Sequence, residues 1–331
     1  MKSASDISLN ISLWDLHVFS TFAETRNLTT CSRQLGVTQS AVSQSIGRLE
    51  RLFGVTLTDR SHRPLLITRA GDILKARSSS VLGEARRALH DVRAVQTEGL
   101  PMLRLGMIDT FATTAGPDVM KSLSRRVENL QMWSGITPML SAELLNRTVD
   151  VIVSNDPMAA NSELERVCLL QEPLVAVVPN SEMDRCTTMT LAEICSALPL
   201  VRFSARSNLG QTVEYFLSQR RLAPARTMEF DASEAVLRMV SNGLGWAIAT
   251  PMCLLHAHSS SMDLAALPLP PPVSNRRIYL VYRRNELNSI MPDVIDVFRN
   301  AIETTIIPRA AEVTPWVDLT KGLSCNHSTA R

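Results

Sequence analysis

The sequence predicts a mixed α/β protein: an N-terminal winged helix-turn-helix, one long linker helix and a larger α/β domain. Three observations support this fold class. A glycine-centred turn at residues 36–38 separates two stretches with the helical spacing of apolar residues. A heptad pattern without proline fills residues 71–96. Beyond residue 100, short apolar runs alternate with amphipathic stretches, which is typical of an α/β sheet.

Composition limits the class of protein. The 331 residues are 45% hydrophobic and 20% charged, as in globular chains of two or three domains. No apolar run approaches the roughly 18 residues of a membrane-spanning helix, and the N-terminus lacks the features of a signal peptide. We therefore expect a cytoplasmic protein that does not contact a membrane.

Charge is informative only locally. The net charge of +2 does not indicate a nucleic-acid partner, but residues 13–70 contain seven arginines and only four carboxylates. This excess of positive charge is consistent with phosphate contacts.

The first domain follows a leader at residues 1–12 and extends over residues 13–70. Residues 13–25 place Leu16, Phe19 and Phe22 on one face and predict the first helix. Asn27 or Thr29 can cap the second helix.

The third helix is predicted after Thr38, whose hydroxyl can cap it. Its apolar face holds Val42, Ile46, Leu49 and Phe53. The opposite face is short or polar and lacks acidic residues, and it consists of Ser40, Ser43, Gln44, Gly47, Arg48 and Arg51. Such a surface can enter a phosphate-lined groove, as the second helix of a helix-turn-helix must. The alternative is an ordinary amphipathic helix with a solvated face.

Two β-prone runs follow Gly54 and flank Ser61-His62-Arg63-Pro64, which predicts a wing with a basic tip. Together these residues resemble the DNA-binding domain of LysR-type transcriptional regulators. The matching positions are Gln39-Ser40-Ala41-Val42-Ser43, Leu49-Glu50, Gly54-Val55, Leu57, Arg60, Leu66, Thr68 and Ala70-Gly71. The chain departs from the family pattern at Cys31 and Ser32, where two alanines are usual, and at Thr58, where Phe is usual.

The resemblance implies double-stranded promoter DNA and RNA polymerase as partners. The expected DNA-binding residues are Thr30, Thr38, Gln39, Ser40, Ser43, Gln44, Arg48, His62 and Arg63. Gln39 can pair with an adenine edge, whereas Arg48, His62 and Arg63 are better suited to phosphates.

The linker helix, at residues 71–99, carries an apolar seam of Val81, Ala85, Ala88, Val92 and Val95. We expect it to pair with the same helix of a second subunit, as in the resembling family, and to give a homodimer or homotetramer. Alternatively, the seam packs on the chain's own larger domain.

The larger domain is expected at residues 100–307. Predicted strands are 103–107, 130–133, 150–153, 174–178, 198–203, 227–230, 246–249 and 278–282. Predicted helices are 115–126, 138–146, 191–196, 209–220, 233–242 and 294–306. The resemblance implies a two-lobed, periplasmic-binding-protein-like effector domain. Lobe one is expected at residues 100–172 and 276–307, and lobe two at residues 173–275. Residues 308–331 are expected to be a poorly ordered tail.

A small-molecule effector, expected to be a small organic anion or an amino-acid-like compound, should bind between the lobes at the carboxyl ends of the strands. The candidate residues are Asp109, Thr110, Ser134, Thr137, Ser204, Arg206, Asp231 and Ser233. Ser134 to Thr137 precede a helix and can bind a carboxylate. Arg206 or Arg202 can pair with an anion, although both are equally explained as surface charges and Arg202 as a salt bridge.

Other classes of function are less favoured. The chain lacks GxSxG, HExxH, GxxxxGK[ST] and a GxGxxG after a strand, so we expect no enzyme and no cofactor. A solute receptor would leave the wing unexplained. Cys253, His256 and His258 can form a metal cluster, and Cys186 with Cys195 a redox pair, but both patterns are more often incidental. The six cysteines are expected to be mostly reduced and buried.

Overall fold

The computed structural model describes residues 10–59, 65–94, 100–225, 228–258, 261–287 and 290–323. The chain divides into two compact units near residue 99. The N-terminal unit contains three helices, a short hairpin and one long helix. The C-terminal unit contains two α/β lobes.

The N-terminal unit is built on α1 (Leu13–Thr25), α2 (Leu28–Leu35) and α3 (Gln39–Phe53). Asn27 caps α2 and Thr38 caps α3, because each side-chain oxygen accepts a backbone N–H, at 3.0 and 3.1 Å. Gly36 ends α2 with a φ of 66°, which glycine adopts without strain. The turn predicted at residues 36–38 is therefore confirmed.

Small residues lie where α2 meets α1. Cys31 is completely buried, with its Sγ 3.8 Å from the carbonyl oxygen of Val18, and Ser32 is 7% exposed. The replacement of two alanines by these residues is accommodated because both side chains remain small.

The hairpin consists of β1 (Thr58–Asp59) and β2 (Leu66–Ile67), which pair antiparallel. The side chain of Glu50 secures its first strand: Oε1 accepts the N–H of Leu57 at 2.9 Å and the N–H of Thr58 at 3.2 Å. The Thr58 hydroxyl donates to the same atom at 3.3 Å. A polar contact thus occupies the place of the family's usual Phe.

The long helix α4 extends over Arg69–Ala94. It begins at the hairpin, where an added Cβ on Gly71 would lie 2.4 Å from the carbonyl oxygen of Leu57, so only glycine fits. Ile73, Val81 and Leu89 are 59%, 44% and 63% exposed, which leaves apolar side chains on its surface. The side chain of Val92 and all of Val95 lie outside the described residues.

Lobe one contains a five-stranded sheet in the order β4-β3-β5-β12-β6. Its strands are β3 (Leu100–Ile108), β4 (Val127–Gly135), β5 (Val151–Ser154), β6 (Leu164–Pro173) and β12 (Asn275–Arg283). Its helices are α5 (Asp109–Thr114), α6 (Gly116–Leu123), α7 (Thr137–Leu145) and α13 (Met291–Ala301). The strands β3, β4 and β5 are parallel neighbours, so their carboxyl ends meet at one edge.

Lobe two contains the sheet β10-β7-β11 and a parallel pair β8-β9. Its strands are β7 (Val175–Pro179), β8 (Val201–Phe203), β9 (Met228–Phe230), β10 (Ala247–Ala249) and β11 (Leu264–Leu267). Its helices are α8 (Met183–Thr187), α9 (Leu191–Ala197), α10 (Asn208–Gln219), α11 (Ser233–Ser241) and α12 (Pro251–His258). Each lobe has its own hydrophobic core.

The chain passes between the lobes twice, at Leu174 and between residues 268 and 274. The two crossing segments are paired, since the N–H of Leu174 donates to the carbonyl oxygen of Ser274 at 3.0 Å. The lobes are therefore joined by adjacent backbone segments, which is the arrangement of a hinge.

The expectation of a poorly ordered tail from residue 308 is wrong for residues 308–323. Helix α13 continues through a π-helical turn (Ile302–Ile306) into α14 (Ile307–Val313). A 3-10 turn (Leu319–Gly322) follows. Ala310 is fully buried and Leu319 is 3% exposed, so apolar burial holds the segment on the domain. Residues 324–331 lie outside the described residues.

Candidate DNA-binding surface and effector cleft

The exposed face of α3 presents the predicted polar side chains together. Thr38, Gln39, Ser40, Ser43 and Gln44 are all exposed. None of them is charged, and the α3 N-terminus supplies further backbone N–H groups. This surface can donate to and accept from base edges without burying an unpaired charge.

The N-terminus of α2 lies beside that of α3. The amide nitrogen of Gln39 donates to the hydroxyl of Thr29 at 3.1 Å, and Thr30 is exposed on the same turn. Within α3, the amide nitrogen of Gln44 donates to the hydroxyl of Ser40 at 3.4 Å. These contacts hold the two glutamine side chains over the exposed face.

Arg48 has a structural contact that the sequence did not indicate. Its guanidinium forms two hydrogen bonds with the Asp15 carboxylate, at 2.8 and 2.5 Å, and a third with the Ser45 hydroxyl at 2.8 Å. The hydrogen bond from Arg48 holds the pKa of Asp15 below its ordinary value. Arg48 thus fixes α3 to α1, and its predicted phosphate contact stays a prediction. His62 and Arg63 lie outside the described residues.

A cavity of about 50 Å³ lies between the two lobes of the C-terminal unit. Lobe one contributes the ends of β3, β4 and β5, and lobe two contributes the loops after β8 and β9. Ligand sites of α/β sheets form at such carboxyl ends of strands. Of the predicted effector residues, those that line the cavity are Asp109, Thr110, Thr137, Asp231 and Ser233.

The other three predicted residues are not among those that line the cavity. Ser134 is exposed, and the buried Ser204 hydroxyl accepts the N–H of Arg206 at 3.2 Å. The Arg206 side chain is 78% exposed and pairs with Asp231 at 2.8 Å. Arg202 is buried in β8 and pairs with Glu214, so the salt-bridge alternative for Arg202 is confirmed.

Thr137 marks the start of α7 within the cavity wall. It is 5% exposed, and its hydroxyl donates to Oδ1 of Asn155 at 2.5 Å. In the first turn of α7, Pro138 has no N–H and Met139 donates to the carbonyl oxygen of Ile136 at 3.1 Å. The N–H without a helical partner is therefore that of Thr137. Asn155, which follows β5, extends this donor-rich wall and was absent from the prediction.

A buried ion pair at the hinge was also missed. Arg276, at the start of β12, lies directly across the sheet from Glu172 near the end of β6. The guanidinium Nη2 and the Oε1 of Glu172 are 2.5 Å apart, and the two side chains are 5% and 0% exposed. Burial by itself lowers the pKa of Arg276, but the adjacent carboxylate of Glu172 outweighs it and raises that pKa. Arg276 also lines the cavity.

This pair had a signal in the sequence. Glu172 and Arg276 lie at the two expected boundaries between the lobes, at residues 172 and 276, and opposite charges in adjacent strands attract. What the sequence lacked was the register that makes them direct neighbours.

Cys253 and His256, three residues apart on α12, have different contacts, and the side chain of His258 lies outside the described residues. Cys253 is buried beside Thr250 and Ser233, whereas the His256 Nδ1 lies 2.7 Å from the Thr113 hydroxyl. Within the described ranges, no three metal-ligating side chains form a group. The free thiols are those of Cys31, Cys186, Cys195 and Cys253; Cys168 is disulfide-bonded, and Cys325 lies outside the described residues.

None of the helices in the described ranges is both long enough and apolar enough to span a membrane.

Comparisons with known proteins agree with the division of the chain into an N-terminal helix-turn-helix unit and a C-terminal α/β unit. The LysR substrate-binding domain matches residues 97–303, and the bacterial regulatory helix-turn-helix of the lysR family matches residues 13–72. The RuBisCO operon transcriptional regulator of Allochromatium vinosum is 25% identical over 284 residues, which is 84% of this chain and 92% of that protein. This relative is a transcriptional regulator and not an enzyme.

Two solved structures share the fold. CbnR, a LysR family transcriptional regulator, has a TM-score of 0.67 at 19% identity, over 88% of this chain and 99% of that one. Full-length CbnR complexed with its target DNA has a TM-score of 0.65 at 19% identity, over 88% and 100% of the two chains. The match to the LysR substrate-binding domain spans more than half of this chain. The chain therefore belongs to the LysR family of transcriptional regulators.

Proposed function

We propose that this LysR-type regulator reads double-stranded promoter DNA with the exposed face of α3 and does so as a dimer. A small effector with an anionic group, bound in the cleft between the lobes, regulates it. The exposed, uncharged polar face of α3 carries the proposal, because such a face has no evident structural use.

Base readout is assigned to Gln39, Ser40, Ser43 and Gln44. A glutamine can make two hydrogen bonds to an adenine, and serine hydroxyls reach either bases or phosphates. Thr30 and Thr38 lie at the helix starts, where backbone N–H groups and hydroxyls suit phosphates. His62 and Arg63 are assigned to phosphates from the sequence alone.

A dimer is supported by the surface of α4. The exposed apolar side chains Ile73, Val81 and Leu89 extend along a helix of 26 residues. In the same unit, Ile73, Val81 and Phe53 help to line an apolar cavity of about 450 Å³. A second α4 covering this surface would remove the side chains from water, and two copies of α3 would then read a two-fold symmetric site.

The effector is assigned to the cavity at the ends of the strands. The α7 N-terminus, the Thr137–Asn155 contact and Arg276 offer hydrogen-bond donors to an anionic group. Ligand binding between lobes joined by a hinge changes their closure. A ligand shifts that equilibrium only through its different affinities for the open and closed states. We also propose RNA polymerase as a partner, and the cytoplasm as the location.

Selection from a randomised duplex library tests DNA recognition by the full-length protein. We expect enrichment of a two-fold symmetric sequence whose half-sites are separated by about 10 base pairs or a multiple of that spacing. Recovery of random sequences at every salt concentration would contradict sequence-specific binding.

A thermal-unfolding screen against small carboxylates and amino acids tests the cleft. A ligand at a hundred times its dissociation constant adds about 2.7 kcal/mol to stability, which is readily measured. Thr137→Ala should abolish the shift. Ser134→Ala is the matched control, since Ser134 is exposed outside the cavity, and it should keep the shift. Equal shifts of the unfolding temperature in the two variants would contradict ligand binding in this cavity.

A further inference from the structure

The charges around the cleft are not those of a site for a simple anion. Asp109 in lobe one and Asp231 in lobe two both line the cavity. Asp109 is partly buried, and within the described part of the chain its carboxylate forms no hydrogen bond or ion pair. Asp231 pairs with Arg206, but that arginine is 78% exposed, so solvent weakens the pair.

Arg276 also lines the cavity, but its positive charge does not neutralise the carboxylates of Asp109 and Asp231. Arg276 is buried and paired at 2.5 Å with the fully buried Glu172, so the pair is neutral as a whole. A ligand with only negative charge would therefore meet Asp109 without a compensating charge and Asp231 with only the exposed Arg206 beside it. A positive group on the ligand would satisfy both lobes and would favour the closed state.

A second group of contacts requires an acceptor on the ligand. Because Oδ1 of Asn155 accepts from Thr137 at 2.5 Å, the amide N–H groups of Asn155 are directed away from that contact. They are free to donate, since Asn155 has no further partner within the described ranges. Arg276 and the α7 N-terminus add donors to the same cavity. These groups suit a carboxylate.

The volume of the cavity limits the size of the ligand. It measures about 50 Å³, and one water needs about 10–15 Å³ by this measure. The cleft thus holds roughly three to five water-sized groups. That is enough for a carboxylate, an ammonium group and one carbon.

Resting on the proposed function, we infer that the effector is a small zwitterion of the α-amino-acid class. Its ammonium group binds Asp109 and Asp231, and its carboxylate binds Asn155, Arg276 and the start of α7. The two aspartates make the site specific for the amine, because a carboxylate or hydroxy acid of the same size leaves Asp109 without a cation and Asp231 with only its exposed arginine.

Calorimetric titration of the full-length protein with isosteric ligands tests this inference. The probes are glycine, L-alanine and L-serine, with propionate and L-lactate as matched acids and alaninamide as the matched amine. We expect at least one amino acid to bind about tenfold or more tightly than its matched acid and than alaninamide. An acid that binds as tightly as its amino acid would overturn the inference. Failure of all three amino acids at about 10 mM would overturn it as well.

Two variants locate the amine site. Asp109→Asn should reduce amino-acid affinity about tenfold or more and leave propionate unchanged or improved, because it removes only the acceptor of the ammonium group. Asp184→Asn alters an exposed aspartate of α8 outside the cavity and should change neither affinity. An unchanged preference for amino acids in both Asp109→Asn and Asp231→Asn would contradict the assignment. Unfolding temperatures without ligand show whether each variant is folded.

DNA binding distinguishes the two possible failures. If the acids bind as well as the amino acids while the protein still selects a symmetric duplex, the amine specificity is wrong and the proposed function stands. If the protein neither selects DNA nor binds any compound of the screen, the proposed function itself is wrong.

Discussion

Arg48 and Asp15 show how one ion pair sets the position of a recognition helix. The Asp15 side chain is 7% exposed and lies on α1, while Arg48 lies on α3. Their two parallel hydrogen bonds fix both the distance and the rotation of α3 relative to α1. This contact therefore orients α3, whose exposed polar side chains are proposed to read bases.

Acid should weaken this contact. The pKa of Asp15 is lowered by its hydrogen bond with Arg48, so the contribution is complete above the unfolded value of about 3.9 and is lost as pH falls through the folded value. We expect Asp15→Asn to lower the free energy of unfolding by about 1–3 kcal/mol at pH 7. We also expect the variant to lose less stability than the unaltered protein as the pH falls below about 4. Urea unfolding across this range measures it. Glu24→Gln, an exposed change on α1, is the control, and equal behaviour of the two variants would disprove the role.

The buried ion pair of Glu172 and Arg276 should contribute more to the free energy of unfolding than a surface ion pair. Glu172→Gln leaves the buried guanidinium without a carboxylate, and we expect a loss of about 3–5 kcal/mol. Glu165→Gln breaks the exposed pair with Arg284 and should change stability by less than about 0.5 kcal/mol. Chemical unfolding compares the two variants, and similar losses would show that the hinge pair is unimportant.

Among the elements, α4 connects sequence pattern to assembly. Its apolar side chains Ile73, Val81 and Leu89 are exposed, so an acidic residue there would be desolvated in a paired helix but tolerated in a single one. We expect Val81→Asp to convert the dimer to a monomer at micromolar concentration, as measured by light scattering after gel filtration. Ala76→Asp, at another exposed position of α4, should leave the dimer intact. A dimeric Val81→Asp variant would exclude this helix as the interface.

The C-terminal segment is an element of the effector domain. Val313 and Val317 pack against the cores of both lobes, and Leu319 is 3% exposed in that of lobe one. We expect Leu319→Ala to reduce the free energy of unfolding by about 2–4 kcal/mol, because it removes buried apolar volume. Leu244→Ala, at a residue that is 46% exposed, should have little effect. Denaturant midpoints give the comparison, and no loss for Leu319→Ala would mean that the segment does not contribute to stability.

For the whole molecule, local signals predicted more than long-range ones. The caps at Asn27 and Thr38 and the turn at Gly36 follow from neighbouring residues, and the structure confirms them. The loops around the cleft follow from the alternation of strands and helices. Arg276 and Glu172 are separated by 104 residues, so their contact depends on the register of β6 and β12, which no local pattern specifies.

The tail shows a different limit of prediction. It was expected to be poorly ordered because it continues beyond the family pattern, but that argument says nothing about burial. The apolar residues of 307–323 recur at positions that pack on the domain, and packing rather than family length decides whether a segment folds.

The most direct test of the central claim measures DNA specificity in α3. The ratio of affinity for the selected duplex to that for random duplex is determined by fluorescence anisotropy at one salt concentration. We expect Gln39→Ala to lower this ratio about tenfold, a loss of about 1.4 kcal/mol of base discrimination. Gln34→Ala, at an exposed glutamine of α2, should leave it unchanged. An equal loss of both affinities in Gln39→Ala, with the ratio preserved, would contradict base readout by Gln39.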